Sequence, residues 1–122
     1  FQKTKKIVAV EPETSSALYA ALNNGAPLDV TVSGIAINAL GAKKVGQLCF
    51  DLAVETGIQS VLVRDDAIQA AQNLLWRAHR QLVEPAGATA LSALMSGAYK
   101  PEKGESVAVL VCGANIAPDP FS

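Results

Sequence analysis

Ile7-Val8-Ala9-Val10-Glu11-Pro12 is a short β-branched block that stops at a proline, and the residues behind it change period. From Ser15 onward Ala17, Leu18, Ala21 and Leu22 recur at helical spacing until Asn23-Asn24-Gly25, residue types that end helices. A compact β-branched block is the form a buried parallel strand takes, so residues 7–25 predict a strand feeding a helix. The same order returns downstream. Ser60-Val61-Leu62-Val63 predicts a second strand, and Asp65 or Asp66 is placed to cap a helix whose Ile68, Ala71, Leu75, Ala78 and Leu82 share one face.

Between these two units, Val45, Leu48, Cys49 and Leu52 mark another helix, closed by Gly57. Residues 26–42 carry Pro27, Gly34 and Gly41 among apolar side chains and follow neither period, which reads as a largely buried, irregular connection. Pro85 suits the first turn of a further helix, with Ala88, Leu91 and Met95 inward and Gly97 near its end. Lys100 to Glu105 is a polar turn. Val107 to Val111 then predicts a third, strongly apolar strand that runs into Cys112-Gly113-Ala114-Asn115. Strands alternating with helices, without hairpin turns, predict an α/β fold: an open, mainly parallel sheet with helices on both faces. Ligands of such sheets lie beyond the carboxyl ends of the strands, which directs attention to Glu11, Arg64 and Cys112.

Composition narrows the function classes. The 122 residues are 50% hydrophobic and 17% charged, as in a single globular domain. A net charge of -1 offers no positive field for nucleic acid or anionic lipid, so neither partner is expected. No apolar run approaches the roughly 20 residues of a membrane-spanning helix. A cytoplasmic protein is expected, with Cys49 and Cys112 as thiols, since neither has CxxC or Cys/His ligand spacing.

Most residues with chemical potential have a plain reading. His79 is the sole histidine and lies on an amphipathic helix without a partner nearby in sequence, which reads as a surface or boundary side chain. Trp76 and Met95 read as packing, and Asp65 and Asp66 as charges at a helix start. Dinucleotide, P-loop and nucleophile-elbow motifs do not occur in the sequence. Cys112 stands apart, because an apolar strand stops there and Gly113 lets the backbone approach a ligand; from position alone it is either an inert cysteine or a ligand contact.

Three segments in order resemble the serine/threonine dehydratases, fold type II pyridoxal-phosphate enzymes related to the tryptophan synthase β chain. They are Ile7 to Pro12, then Leu82-Val83-Glu84-Pro85-Ala86-Gly87-Ala88-Thr89-Ala90-Leu91, then Val107 to Asn115. Thr31 to Gly46, with Ser33-Gly34-Ile35 and Leu40-Gly41-Ala42, is similar to the corresponding family stretch. The resemblance implies that residues 1–122 are the C-terminal portion of the cofactor-binding large domain. It implies that Cys112 meets the pyridine nitrogen of pyridoxal 5'-phosphate, where other members place Ser, and that Gly34, Glu84 and Asn115 lie close to the cofactor. A thiol is too weak an acid to keep a pyridine protonated, which suits β-elimination over long-lived carbanion chemistry. Ala114 departs from the glycine usual there.

The resemblance further implies a cation site formed by Glu11, Ser15 and Ala17, with carbonyls from Leu40 and Ala42. Ala17 replaces an acidic residue of some relatives, which favours a monovalent, potassium-like ion. The alternative for Glu11 is a cap on the following helix. The family's Schiff-base lysine, in a Ser-x-Lys motif, and its Gly-rich phosphate loop find no match in these residues; Lys43 and Lys44 lie in the wrong segment, and Lys3, Lys5 and Lys6 read as solvated charge. No catalytic residue is therefore assigned. The expectation is a piece of a dehydratase that converts L-serine or L-threonine to a 2-oxo acid and ammonia. The piece should be silent alone, partnered by the N-terminal part of the same enzyme and homodimeric when complete. Threonine synthase, a racemase or a sulfhydrylase-like enzyme of the same fold is the neighbouring reading, and a non-catalytic α/β binding module the one from another class.

Overall fold

The block at residues 7–12 forms β1, Val8–Pro12, and Ser60-Val61-Leu62-Val63 falls in β2, Gln59–Val63. In the computed structural model, which describes residues 4–113, 115 and 116, the two strands pair in parallel, with Val10 opposite Val61 and Pro12 opposite Val63. A parallel pair needs a crossover. Here it is made by α1 (Ala17–Asn24), a short α2 (Ile37–Leu40) and α3 (Gln47–Thr56). After β2 come α4 (Asp65–His79) and α5 (Pro85–Ser96), which pack on each other more extensively than any other pair of elements.

Strand alternation sorts the core. Val8, Val10, Val61 and Val63 join Ile68, Ala71 and Leu75 of α4, Val83 from the α4–α5 connection, Ala88 and Ala93 of α5, and Tyr99 in one apolar cluster. Alternation puts Ala9, Ser60 and Leu62 on the opposite face, where α1 packs on β2 and α3 packs on α1. The α4–α5 seam also contains a buried amide: Gln72 Nε2 donates to the Val83 carbonyl at 3.0 Å, satisfying a carbonyl between the two helices. The fold is α/β with helices on both sides of a parallel sheet, as the alternation of elements predicts.

Several local expectations change. Residues 107–111 are extended but form no ladder, and Leu110 is 75% exposed. A strand requires a hydrogen-bonded neighbour, and β1 is not beside this segment. A cleft of about 650 Å³ lies between them, lined by Ile7, Val8 and Val10 on one side and Val107 to Val109 on the other, with Ala93 and Leu94 of α5 contributing to the wall. Helix α4 stops at His79, because Arg80 turns left-handed (φ 54°) and the amides of Arg80 and Gln81 return to Trp76 and Leu75 carbonyls. Ala78 and Leu82 consequently lie outside the core. Helix α3 buries Phe50 and Ala53 instead of the Leu48–Leu52 stripe, and Leu48 is 79% exposed. On α5, Met95 is exposed while Ala88, Thr89, Ser92 and Ala93 face inward. Residues 26–42 are mostly exposed, with Ala36 the buried exception, and include the turn of helix α2.

Of the plain readings, that of His79 holds, while Trp76 and Met95 are exposed and do not pack in the core. His79 is exposed at the end of α4, and Trp76 carries the Arg80 guanidinium 5.4 Å from its ring centre. Lys6 sits 5.0 Å above the Tyr99 ring, and its hydrogen bond to Tyr99 raises the Lys6 pKa above the ordinary lysine value. Among the described residues no helix is long and apolar enough to cross a membrane.

Candidate functional site

Cys112 follows the extended apolar segment and lies against the first turn of α5. Gly87, the third residue of that helix, touches the Cys112 backbone so closely that a Cβ there would fall on the Cys112 carbonyl. The Glu84 amide donates to the Gly113 carbonyl at 2.9 Å, which fixes the turn from its other side. Gly113 has φ +85°, and a side chain on it would collide with the Glu84 carboxylate arm. The local sequence explains this geometry: Pro85 starts α5 at once, and two glycines let the two backbones meet. Cys112 is left exposed, next in sequence to the Gly113 that Glu84 holds.

A second group forms at the carboxyl ends of β1 and β2. The Glu13 amide donates to the Val63 carbonyl at 2.8 Å, extending the contact between the strands into their loops. Glu11 turns both carboxylate oxygens onto the start of α1, accepting from the Leu18 amide at 3.0 Å and the Tyr19 amide at 2.8 Å. These are two of the N–H groups that a helix start leaves unpaired, so Glu11 caps α1 from outside the helix. Buried Ser15 donates its hydroxyl to the Leu40 carbonyl, joining the β1 loop to the end of α2. Ala17 is buried as the first residue of α1, and Ala42 is exposed.

Gly34 belongs to this second group. It has φ +91°, and a Cβ there would stand 2.6 Å from Asp65 Oδ2 and would overlap the Thr14 hydroxyl. The Asp65 carboxylate accepts from Thr14 Oγ1 at 3.0 Å and from the Ile35 amide at 3.2 Å, and the Thr14 carbonyl accepts from the Ser33 amide at 2.9 Å. Asp65 is thus not the helix cap anticipated from its position; Arg64 occupies that place, and Asp66 pairs with Arg64 at the surface, 3.3 Å away. Asn115 is exposed, and Ala114 lies outside the described residues.

Cys112 and Glu84 are therefore brought together, as are Ser15 and Leu40, while Gly34 is held by Thr14 and Asp65. Three contributors had no sequence signal strong enough to single them out: Gly87, Thr14 and Asp65. Gly87 belongs to the Leu82–Leu91 motif, and a glycine in a helix's first turn is the hint that something packs against it.

The donor sets have distinct chemistry. An exposed thiol and a carboxylate on a glycine turn suit the polar edge of a heteroaromatic ring. The Glu11 carboxylate, Ser15 hydroxyl and Leu40 carbonyl are hard oxygen donors of the type alkali and alkaline-earth cations take. Among the described residues no three His, Cys, Asp or Glu side chains converge as a transition-metal site would require.

Known proteins match this arrangement in sequence and in shape. The biosynthetic L-threonine dehydratase IlvA of Escherichia coli (strain K12) is 36% identical over 112 residues, covering 91% of this chain and 22% of the relative. Phenylserine dehydratase of Ralstonia pickettii is 32% identical over 110 residues, 90% of this chain and 34% of that protein. The solved T.th. threonine deaminase superposes with a TM-score of 0.73 at 27% identity, over 81% of this chain and 37% of its own. This chain thus spans between about a fifth and two fifths of the length of these proteins. The family described as pyridoxal-phosphate dependent enzyme matches residues 2–113, nearly the whole sequence. The chain belongs to the pyridoxal-phosphate-dependent enzyme family.

Proposed function

We propose that these residues are the part of an L-serine or L-threonine ammonia-lyase that supports the cofactor ring and a monovalent cation, while the remainder of the polypeptide brings the Schiff-base lysine and the phosphate loop. The observation that carries the reading is the Cys112 thiol, exposed on a Gly113 turn that the Glu84 amide and the Gly87 backbone hold in place. Relatives named for threonine and phenylserine dehydration support the substrate class.

Bound pyridoxal phosphate supplies a sink for the electron pair left when the substrate α-proton is removed. The residues of this chain have narrower tasks. The Cys112 thiol would face the ring nitrogen of the bound cofactor as a hydrogen-bond partner. Glu84 sits beside that contact, and its amide keeps Gly113 from drifting. Gly34 and Asn115 would complete the surroundings of the ring. Ser15, Leu40 and Glu11 would offer oxygens to a potassium-like ion, with the Ala17 and Ala42 carbonyls as further ligands, and such an ion would tie together the loops following β1.

The cleft beside β1 supports the same reading. Extended, unpaired backbone at residues 107–109 faces the free side of β1 across it, a fit for strand from the remainder of the polypeptide. The complete enzyme is a homodimer in the reducing cytoplasm, where Cys112 remains a thiol.

The test is to express the complete polypeptide and the 122 residues separately, supply pyridoxal phosphate with L-serine or L-threonine, and follow 2-oxo acid and ammonia. Release by the complete polypeptide, with none from the 122 residues, is the expected result. A complete polypeptide that takes up no cofactor, or that only inverts L-serine without producing a 2-oxo acid, would overturn the lyase reading.

A further inference from the structure

Asp65 begins α4, yet its carboxylate serves neither that helix's cap nor the surface ion pair beside it. Its two oxygens go to two different loops: Oδ1 accepts from the Thr14 hydroxyl at 3.0 Å and Oδ2 from the Ile35 amide at 3.2 Å. Thr14 returns a backbone bond, its carbonyl accepting from the Ser33 amide at 2.9 Å. The Gly34 turn is thereby held on both flanks, and Asp65 and Thr14 occupy the space a Gly34 side chain would need. The next residue, Ser15, holds the Leu40 carbonyl. One carboxylate therefore links β2's exit, β1's exit and the long crossover.

We propose that Asp65 is a positioning residue: it fastens the Gly34 turn to the Thr14–Ser15 turn, so that the cofactor side and the cation side of the site are one mechanical unit. This rests on the function proposed above for Gly34 and Ser15. A charge placed at N1 merely to favour the helix dipole would have no need of Thr14 or Ile35. A bidentate link, by contrast, depends on two acceptors or their geometric equivalent. Asparagine supplies that equivalent, since its Oδ1 accepts from the Ile35 amide while its Nδ2 donates to a rotated Thr14 hydroxyl.

The complete enzyme carrying Asp65→Ala, Asp65→Asn or Thr14→Val is examined for amide exchange at Ser33 and Ile35 and for pyridoxal-phosphate affinity. In Asp65→Ala, exchange at Ile35 quickens about tenfold, as for loss of one hydrogen bond to a charged group, and cofactor affinity falls by a similar factor. Thr14→Val shows a smaller effect of the same kind. Asp65→Asn restores both readouts to near the parent values. The inference is overturned if Asn behaves as Ala, if Ile35 exchange ignores Asp65→Ala, or if exchange quickens while cofactor affinity stays unchanged. Should the unaltered enzyme take up no cofactor at all, the proposed function fails, and exchange at Ile35 still reports on the link.

Discussion

Replacing Gly87 with alanine sets two physical effects against each other. Alanine is the better helix former by about 1 kcal/mol, and Gly87 lies in the first turn of α5, so propensity alone predicts stabilisation. The new Cβ, however, would stand 2.5 Å from the Cys112 carbonyl carbon. The Cys112 carbonyl oxygen would stand only 1.4 Å from that Cβ, and non-bonded heavy atoms in contact sit about 3.5 Å apart, so the Cys112 backbone must retreat on the order of 2 Å. Overpacking against backbone costs about 1–3 kcal/mol, and the retreat also strains the Glu84–Gly113 hydrogen bond, worth about 0.5–1.5 kcal/mol. Sterics win, and the net expectation is a loss of about 1–3 kcal/mol in urea unfolding. Gly46→Ala is the control, because nothing lies within 4 Å of a Cβ at Gly46. In a Cys49→Ser background, thiol labelling of Cys112 should change rate in Gly87→Ala and not in Gly46→Ala. A Gly87→Ala chain as stable as its parent, with an unaltered labelling rate, would refute the close packing of Cys112 on α5.

Glu11→Ala strips two acceptors from the start of α1 and should cost about 1–2 kcal/mol by denaturation, with Glu11→Gln recovering part of it; no loss would show that the cap is unimportant. Gln72→Leu leaves the Val83 carbonyl unpaired between α4 and α5 and should cost about 1–3 kcal/mol in the same assay. In the complete enzyme, Cys112→Ala should leave cofactor bound through lysine and phosphate while altering its absorbance and lowering turnover; unchanged spectra and rates would remove Cys112 as the ring partner.

The sequence disclosed elements better than faces. Both strands, the glycine ends of α1 and α3, and the proline start of α5 were legible because each depends on local chemistry: β-branching, a left-handed turn, a missing N–H. The pairing within the site was less legible. Ordered motifs placed Cys112 and Glu84 in the same neighbourhood, and the structure joins them through Gly113 and Gly87. Asp65 was hidden, because an acidic residue at a helix start already has a sufficient local explanation, and its partners Thr14 and Ile35 lie 51 and 30 positions away. Long-range hydrogen bonds leave no periodic trace.

The misread faces share a physical cause. Leu48, Leu52, Leu82 and Met95 all read as inward-facing from their spacing and Leu110 as part of an apolar strand, and all are exposed. Apolar patterning reports the surfaces a sequence is selected to bury, whoever supplies the cover. A run such as Val107 to Val111 is therefore strand-like in composition whether or not a neighbouring strand is present. The free side of β1 and the cleft beside it show where such a neighbour fits. On the proposed function, the exposed stripes and the unpaired segment share one explanation, burial against further polypeptide. It also makes the proposal concrete: in the complete enzyme residues 107–109 acquire slow amide exchange, and Leu110 loses its exposure. Fast exchange at Val107 to Val109 in the complete, cofactor-loaded enzyme would mean that the segment is extended for some other reason and that the cleft is not a strand site.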